Sequence, residues 1–361
     1  MSKKSTARIR RIVAVCHDLG GAQAILPVVR NLKHRRDIRV DVVAGSFAIK
    51  LFTRFRPEIA RVDWSDQEID GFLQKSRPDL LLSSTSWKSR LEQGFRNRAN
   101  ELGIPSVVVI DFWSNYRLRW QHATYQFEEG KDHVCVMDNR TARVMRNEGY
   151  PKAKLYVTGQ PYLEHCPREK AGHARNQQRG TKRQTNVLLL SISLAGLGLK
   201  DDPMAPIRVV CQALGRWHET TDRPIKLSIR RHPHENADPD FLHKVHQIVP
   251  RGVTVRLADR TKPLSGQILN NDLILGYVTM ALFEARCLGK NSIAIQVAKY
   301  SNELRLAMQE AGIILLPLNA ERIASYLLSS AARAPNNLPI VHRGATAAIA
   351  KICRNLIRTK K

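Results

Sequence analysis

The sequence predicts an α/β protein made of two doubly wound domains, each a mainly parallel sheet covered by helices on both faces. Three observations carry this expectation. Short apolar, β-branched runs alternate with longer stretches of helical spacing from Arg11 to Thr158. A polar, basic stretch, His165 to Thr185, interrupts the pattern, and the alternation then restarts at Val187 and runs to Leu328. Strands that alternate with helices need crossover connections, and crossovers produce parallel sheets.

In the first half, strands are expected at Arg11–Cys16, Arg39–Ala44, Asp79–Ser83, Ser106–Asp111, His133–Met137 and Leu155–Thr158. Helical spacing fills Ala22–His34, Phe47–Phe55, Asp66–Lys75, Trp87–Leu102 and Asn139–Glu148. Gly or Pro closes several of these helices where the next strand begins, as in Leu102-Gly103-Ile104-Pro105 and Glu148-Gly149-Tyr150-Pro151. In the second half, strands are expected at Val187–Ser193, Ile225–Arg230, Val253–Leu257, Asp272–Leu275, Ser292–Gln296 and Ile313–Leu316. Helices are expected at Met204–His218, Phe241–Ile248, Thr279–Leu288, Ser301–Ala311 and Ala320–Leu328, with a further amphipathic helix at Ala345–Ile357. The predicted organisation is a Rossmann-like domain over 1–161, a basic linker over 162–185, a second Rossmann-like domain over 186–340, and a C-terminal helix with a basic tail over 341–361. Two such halves are expected to face each other across a cleft at the carboxyl ends of their strands, where open α/β sheets bind ligands.

Composition narrows the function. With 361 residues, 43% hydrophobic and 25% charged, the chain is long enough for two ordinary cores and is not compositionally disordered. No apolar run reaches the roughly 18–20 residues that a membrane-spanning helix needs. The basic start Met1-Ser2-Lys3-Lys4 is followed by too short an apolar segment for a signal peptide, so a cytoplasmic location is expected. The six cysteines show no Cys-x-x-Cys pair or zinc-type spacing, so neither a metal site nor disulfides are expected. The net charge of +26 suits polyanionic partners: nucleic acid, an anionic membrane surface or acidic substrates. The charge is dispersed and no recognised nucleic-acid-reading motif accompanies it, which places nucleic acid behind the other partners.

Two segments of the second half carry most of the chemistry. Arg231-His232-Pro233-His234-Glu235 follows one predicted strand, and Gly276-Tyr277-Val278-Thr279-Met280-Ala281-Leu282-Phe283-Glu284-Ala285 follows another. Arg231 and His232 offer cationic donors, Pro233 biases His232 away from helix, and Thr279 stands near the start of a helix that carries Glu284. Cations and a helix N-terminus suit a diphosphate, and a carboxylate suits a ribose diol; together they outline a nucleotide-sugar donor site. Ser193, in the hydroxyl- and glycine-bearing stretch Ser191–Gly198, is a further candidate phosphate contact.

The first half offers the acceptor side. Cys16-His17-Asp18-Leu19-Gly20-Gly21-Ala22 ends the first strand with paired glycines, which permit a sharp turn and close backbone approach. It lacks the three spaced glycines of a dinucleotide site, so no nicotinamide or flavin cofactor is expected. A carboxylate or imidazole there can take a proton from an acceptor hydroxyl, which makes Asp18 the first candidate base, with His17, Gly20 and Gly21 lining the acceptor. Asp111-Phe112-Trp113-Ser114-Asn115-Tyr116 ends another strand. Asp111 is the second candidate base, and Trp113 and Tyr116 are read either as a stacking surface for sugar or as the edge of a core. Ser83-Ser84-Thr85-Ser86-Trp87 is most simply a helix cap.

Arg-His-Pro after one strand and Gly-x-x-Thr-Met-x-x-x-Glu-Ala opening a helix resemble the second domain of GT-B glycosyltransferases. The likeness is to bacterial surface-polysaccharide enzymes, namely capsule and sialic-acid-type transferases with a His-Pro motif and CDP-glycerol glycerophosphotransferases. The overall plan is also similar to the sugar-nucleotide 2-epimerases. The resemblance in architecture spans nearly the whole chain, and its motifs span about twenty residues. It implies donor phosphates on Arg231 and His232, Thr279 and Met280 at the phosphate end of the helix, ribose on Glu284, and an acceptor facing Asp18. Gly276-Tyr277-Val278-Thr279 departs from the Asp-Ser-Gly-Gly that such epimerases carry, and Glu128-Glu129-Gly130 matches the acidic motif of sialyltransferases.

The expected activity is therefore metal-independent transfer of a sugar from a nucleotide-sugar donor to an envelope or capsular glycan, or to a lipid-linked acceptor. No Asp-x-Asp motif is present to hold a divalent ion, and the cations at Arg231 and His232 suit the leaving phosphate. The alternatives are a sugar-nucleotide 2-epimerase and a non-enzymatic nucleic-acid-binding protein. The basic ends and linker suit reversible docking at an anionic membrane.

Overall fold

The computed structural model describes residues 8–359 except 46–47, 56–57, 60–63, 87–88, 167–183, 192–201, 203, 233–234, 236–237 and 330–342. The chain divides into two compact units, Met1–His165 with Val341–Lys361, and Cys166–Ile340.

The first unit runs β1 (Arg10–Cys16), α1 (Leu19–Lys33), β2 (Ile38–Ala44), α2 (Ile49–Phe52), β3 (Glu58–Ile59), α3 (Asp66–Ser76), β4 (Leu80–Ser83), α4 (Leu91–Glu101), β5 (Ser106–Val109), β6 (His133–Val136), α5 (Asn139–Asn147), β7 (Leu155–Val157) and α6 (Pro161–Glu164). Its seven strands lie in the order β3-β2-β1-β4-β5-β6-β7, and every pairing is parallel. Because side chains alternate along a strand, β1 serves two cores. Ile12, Ala14 and Cys16 pack with Ile25, Val28, Val29 and Leu32 of α1. Val13 and Val15 pack with Ile69 and Leu73 of α3 and with Leu91, Phe95 and Ala99 of α4. A strand covered on both faces reads as an unbroken apolar run, which is why β1 is visible in the sequence.

The second unit runs β8 (Thr185–Leu190), α7 (Ala205–Thr221), β9 (Ile225–Arg230), α8 (Phe241–His246), β10 (Val253–Leu257), α9 (Leu264–Leu269), β11 (Leu273–Gly276), α10 (Met280–Cys287), β12 (Asn291–Gln296), α11 (Asn302–Glu310), β13 (Ile314–Pro317) and α12 (Ala320–Leu328). Its six parallel strands follow the same plan, β10-β9-β8-β11-β12-β13. Val187, Leu189, Leu227 and Leu275 meet Ile207, Val210 and Leu214 of α7 and Ile323 and Leu327 of α12 in one core.

The segment expected to stand apart as a C-terminal helix and tail contains α13 (Ala345–Thr359), and α13 belongs to the first unit. Ile349, Ala350, Cys353 and Ile357 enter the same core as α1. Glu164 of α6 accepts hydrogen bonds from the Gly344 amide at 2.5 Å and the Thr346 amide at 2.8 Å, serving N–H groups that a helix start leaves without partners.

Three further differences have physical causes. Helix α1 begins at Leu19, three residues before the expected start, so Gly20 and Gly21 lie in its first turn. Strand β3 is only two residues long, and α9 is a six-residue helix with Ser265 and Gly266 inside it; both are too short to show a periodicity. Trp87 and Ser193, at which a helix and a candidate phosphate contact were expected, lie outside the described residues, as do Pro233 and His234.

Candidate functional site

In each sheet the strand order reverses at one point, between β1 and β4 in the first unit and between β8 and β11 in the second. Connections leaving neighbouring strands there diverge, and the crevice at their carboxyl ends is the usual ligand position in open α/β sheets. The chemistry-bearing residues of each unit collect at these ends.

In the first unit, His17 and Asp18 follow β1 directly. The His17 ring nitrogen Nδ1 lies 2.9 Å from Asp18 Oδ1, so the dyad is formed by adjacent residues. Asp18 occupies the N-cap position of α1, yet its side chain makes no cap hydrogen bond and turns to the imidazole instead. That hydrogen bond raises the His17 pKa above its ordinary value of 6.5, with burial opposing it.

Behind the dyad lies Glu92, on the first turn of α4 and 1% exposed. Its Oε1 accepts from the His17 backbone N–H at 2.9 Å and the Ser84 hydroxyl at 3.1 Å, and its Oε2 accepts from the Ser86 hydroxyl at 2.6 Å. Burial raises its pKa above the ordinary 4.5, and the charge of Asp18 adds to the rise against the Ser86 and His17 hydrogen bonds. Ser84 and Ser86, expected as helix caps, thus hold a carboxyl group.

Asp111 completes the cluster just past β5. Its Oδ1 accepts from Arg119 Nη1 at 2.6 Å, its backbone carbonyl accepts from Gln160 Nε2 at 2.9 Å, and Arg119 also donates to the Thr85 hydroxyl. Gly20 sits against it: a Cβ there would lie 3.1 Å from Asp111 Oδ2. At Gly21 a Cβ would lie 2.5 Å from Ser84 Oγ. The paired glycines therefore serve close packing of the α1 start on neighbouring strand ends. Neither adopts a positive φ, so they do not make the sharp turn expected of them.

The aromatic loop after β5 takes the other of its two readings. Trp113 and Tyr116 are 6% and 4% exposed. Trp113 Nε1 donates to Asp138 at 2.8 Å, and the Tyr116 hydroxyl lies 3.3 Å from Thr141 Oγ1. Both rings close the edge of the first sheet and leave no face on which a sugar can stack. Glu128 precedes β6, so it sits toward the amino edge of the sheet, where Arg117 pairs with it at 2.6 Å and lowers its pKa. Neither Glu128 nor the Glu128-Glu129-Gly130 segment joins the cluster at the carboxyl ends.

In the second unit, Arg231 and His232 follow β9. Glu235 organises both: its Oε2 accepts from Arg231 Nε at 3.0 Å and its Oε1 from the His232 amide at 3.1 Å. The Arg231 guanidinium also lies 4.7 Å from the centre of the Phe241 ring. A pairing and a cation–π contact hold Arg231 in place at the strand end. Arg230 reaches the other way, donating to the carbonyls of Asp259 and Lys262 at 3.2 Å. Gly276 ends β11, and a Cβ there would lie 3.2 Å from Leu190 Cβ. Thr279 caps α10, its hydroxyl accepting from the Ala281 amide at 3.3 Å, so Met280 is the first helical residue. Glu284 follows one turn later and is 4% exposed. Arg230 feels its negative charge, which works against the fall in Arg230 pKa that burial causes.

No known protein-family profile matches the chain, and no curated protein matches it by sequence. Solved structures do match it by shape. UDP-GlcNAc 2-epimerase from Neisseria meningitidis, bound to UDP-GlcNAc, is 13% identical with a TM-score of 0.68, over 96% of this chain and 100% of that one. S. aureus MnaA in complex with UDP is also 13% identical, with a TM-score of 0.70 over 98% and 99%. MurG of Acinetobacter baumannii is 11% identical, with a TM-score of 0.62 over 96% and 99%. The chain has the two-domain GT-B fold.

That fold places Asp18, His17, Gly20, Gly21 and Asp111 together in the first unit, and Arg231, His232, Thr279, Met280 and Glu284 at the corresponding strand ends of the second. Sequence reasoning missed Glu92, Arg119 and Glu235. Arg119 lies three residues past the Asp111–Tyr116 segment, and Glu235 ends the Arg231–Glu235 segment. Glu92 carried no local sign, because its hydrogen-bond partner His17 is 75 positions away.

Proposed function

We propose that this chain is an enzyme of nucleotide sugars, with a UDP-sugar as donor or substrate. The observation that carries the reading is the second-unit constellation on a GT-B fold. Arg231 is oriented by Glu235 at the end of β9, and the capped start of α10 stands at the end of β11 with Glu284 one turn in. In this reading Arg231, His232 and the amides at the start of α10 hold the diphosphate, and Glu284 takes the ribose hydroxyls. Ser193 stays a proposed phosphate contact. The similarity to structures that hold UDP-GlcNAc and UDP supports uridine as the base to test first.

Two reactions suit the first-unit cluster. Inversion at C2 of the sugar needs one group to remove a proton and another to return one. Asp18 and Asp111 follow β1 and β5, the strands on either side of β4, and Glu92, on the first turn of the helix after β4, stands with the His17 imidazole among them. The epimerases among the structural neighbours favour this reading. Transfer to a glycan or lipid-linked acceptor needs a single base, for which Asp18 is the first choice and Asp111 the second. Gly276-Tyr277-Val278-Thr279, where sugar-nucleotide 2-epimerases carry Asp-Ser-Gly-Gly, favours transfer, and MurG shares the fold. The net charge of +26 supports an anionic acceptor or an anionic membrane surface nearby.

Incubation with UDP-GlcNAc in D2O separates the two. Deuterium at C2, with UDP or epimer formed in the absence of any acceptor, identifies epimerisation. Turnover only on addition of an acceptor, with C2 retaining its hydrogen, identifies transfer. Absence of binding to any UDP-, CMP-, CDP- or GDP-linked sugar by calorimetry refutes both.

A further inference from the structure

The amino-terminal edge of the first sheet holds a cavity of about 630 Å³ that the reading above does not use. It is lined by residues around the starts of β1, β4 and β5, whereas His17 and Asp18 follow the other end of β1. The length of β1 separates the two places by about 20 Å, at about 3.3 Å per residue. Its volume falls within the range of small-molecule sites, roughly 300–1,000 Å³.

The walls are of two kinds. Arg8, Arg10 and Arg77 supply three guanidinium groups against one carboxylate, Asp79. Asp79 is 6% exposed and works as an organiser: its Oδ1 accepts from Arg8 Nη2 at 3.3 Å and Arg10 Nη1 at 3.1 Å, while its Oδ2 accepts from the Arg11 amide at 2.8 Å. Each of those guanidiniums has further N–H groups to offer, and the lining keeps a surplus of two positive charges. Leu102, 46% exposed, forms the open apolar part, with the edges of the buried Leu73, Pro78 and Ile104 behind it.

Arg77 is the most informative residue. It closes α3 in the left-handed region, at φ 44° and ψ 59°, where Gly or Asn is the ordinary choice. A long cation stands there in spite of the backbone. Among the described residues, none hydrogen-bonds or pairs with its guanidinium.

We propose that this cavity is a second ligand site, for a phosphate ester carrying an apolar chain: the phosphate on Arg10 and Arg77, the carbon chain along the exposed Leu102 at the rim. Guanidinium forks match phosphate oxygens, and the apolar wall selects an ester over the free ion. The proposal is independent of the nucleotide-sugar reading, which concerns the opposite ends of the strands.

The test uses the full chain, with hexyl phosphate and inorganic phosphate as probes in calorimetry and backbone hydrogen–deuterium exchange. Hexyl phosphate is expected to bind about tenfold or more tightly than inorganic phosphate and to slow exchange between Leu73 and Leu81. Arg77→Gly, which suits the left-handed backbone and should fold at least as well, is expected to weaken binding by about tenfold or more. Arg10→Gln should do the same; if loss of its pairing with Asp79 prevents folding, Arg77→Gly still decides. Equal affinity for the two probes, wild-type affinity in Arg77→Gly, or protection confined to α1 and the end of β9 overturns the proposal. A parallel arm uses phosphatidylcholine vesicles with and without phosphatidic acid. Cosedimentation that requires phosphatidic acid and falls in Arg77→Gly identifies a lipid headgroup as the source; hexyl phosphate binding without such cosedimentation identifies a free ester. Either result upholds the site.

Discussion

Replacing Glu92 tests whether a buried carboxyl group holds the His17–Asp18 dyad. Three donors converge on it: two on Oε1, from the His17 amide and Ser84, and one on Oε2, from Ser86. Glu92→Gln keeps both Oε1 bonds and lets its amide donate to Ser86, whose hydroxyl can turn to accept. Glu92→Ala removes all three and strands a buried backbone N–H. Each buried polar group left unsatisfied costs about 1–3 kcal/mol, and the two serines can partly recover by rotating, so alanine should cost about 3–5 kcal/mol. Glutamine should stay within about 1.5 kcal/mol of wild type near pH 4.5. The pH dependence adds a sign. Burial raises the folded-state pKa of Glu92 above the ordinary 4.5, so between these two values the folded state holds more protons than the unfolded chain. Its contribution is therefore fully present below pH 4.5 and is lost as the pH rises through the folded-state pKa. Urea denaturation at rising pH from 4.5 should show wild type losing ground to Glu92→Gln until the folded-state pKa of Glu92 is passed. Parallel profiles, or equal losses for glutamine and alanine, would refute the assignment.

Three other outcomes follow from the same structure. Gly21→Ala puts a methyl group 2.5 Å from Ser84 Oγ and should lower stability by about 1–3 kcal/mol in denaturant titration, as overpacking does. His133, at the start of β6, has its pKa lowered to about 4, first by burial and then by Lys154, so the folded state resists protonation; acid stability measured from pH 7 to 4 should fall below pH 6.5 in wild type and fall less in His133→Gln. In the proposed enzyme, Asp18→Asn should reduce turnover by about 100-fold with nucleotide affinity nearly unchanged, and Arg231→Ala should weaken UDP binding by about 1.5–3 kcal/mol in calorimetry.

The doubly wound plan was legible because several strands of a sheet buried on both faces are continuous apolar runs, as in Ile12–Cys16 and Val187–Leu190. The strand ends were legible for the same reason, and they brought His17, Asp18, Asp111, Arg231 and His232 into view. What lay beyond the sequence was pairing across distance. Nothing near Glu92 announces that it anchors a residue on β1's exit, 75 positions away; Arg119 stands only eight positions from Asp111, in an irregular loop that has no periodicity to show which side chains meet. Trp113 and Tyr116 show the limit from the other side. An aromatic ring with a polar tip suits a sugar surface or a core edge equally, and only the hydrogen bonds to Asp138 and Thr141 decide for the edge. The glycines at 20 and 21 were expected to bring backbone to a ligand through a sharp turn; the structure shows instead a close approach of the α1 start to Asp111 and Ser84, without an unusual turn.

The contribution of α13 to the first unit has a consequence for how the protein is made. The first core is assembled from both ends of the chain, and roughly 180 residues separate α6 from α13. At about 5–20 residues per second, a ribosome needs on the order of 10–40 s to cross that interval. During it, the apolar strip of α1 that Ile349, Cys353 and Ile357 later cover is exposed, while every element of the second unit emerges in one continuous stretch. The domain translated first is thus the one whose core is completed last.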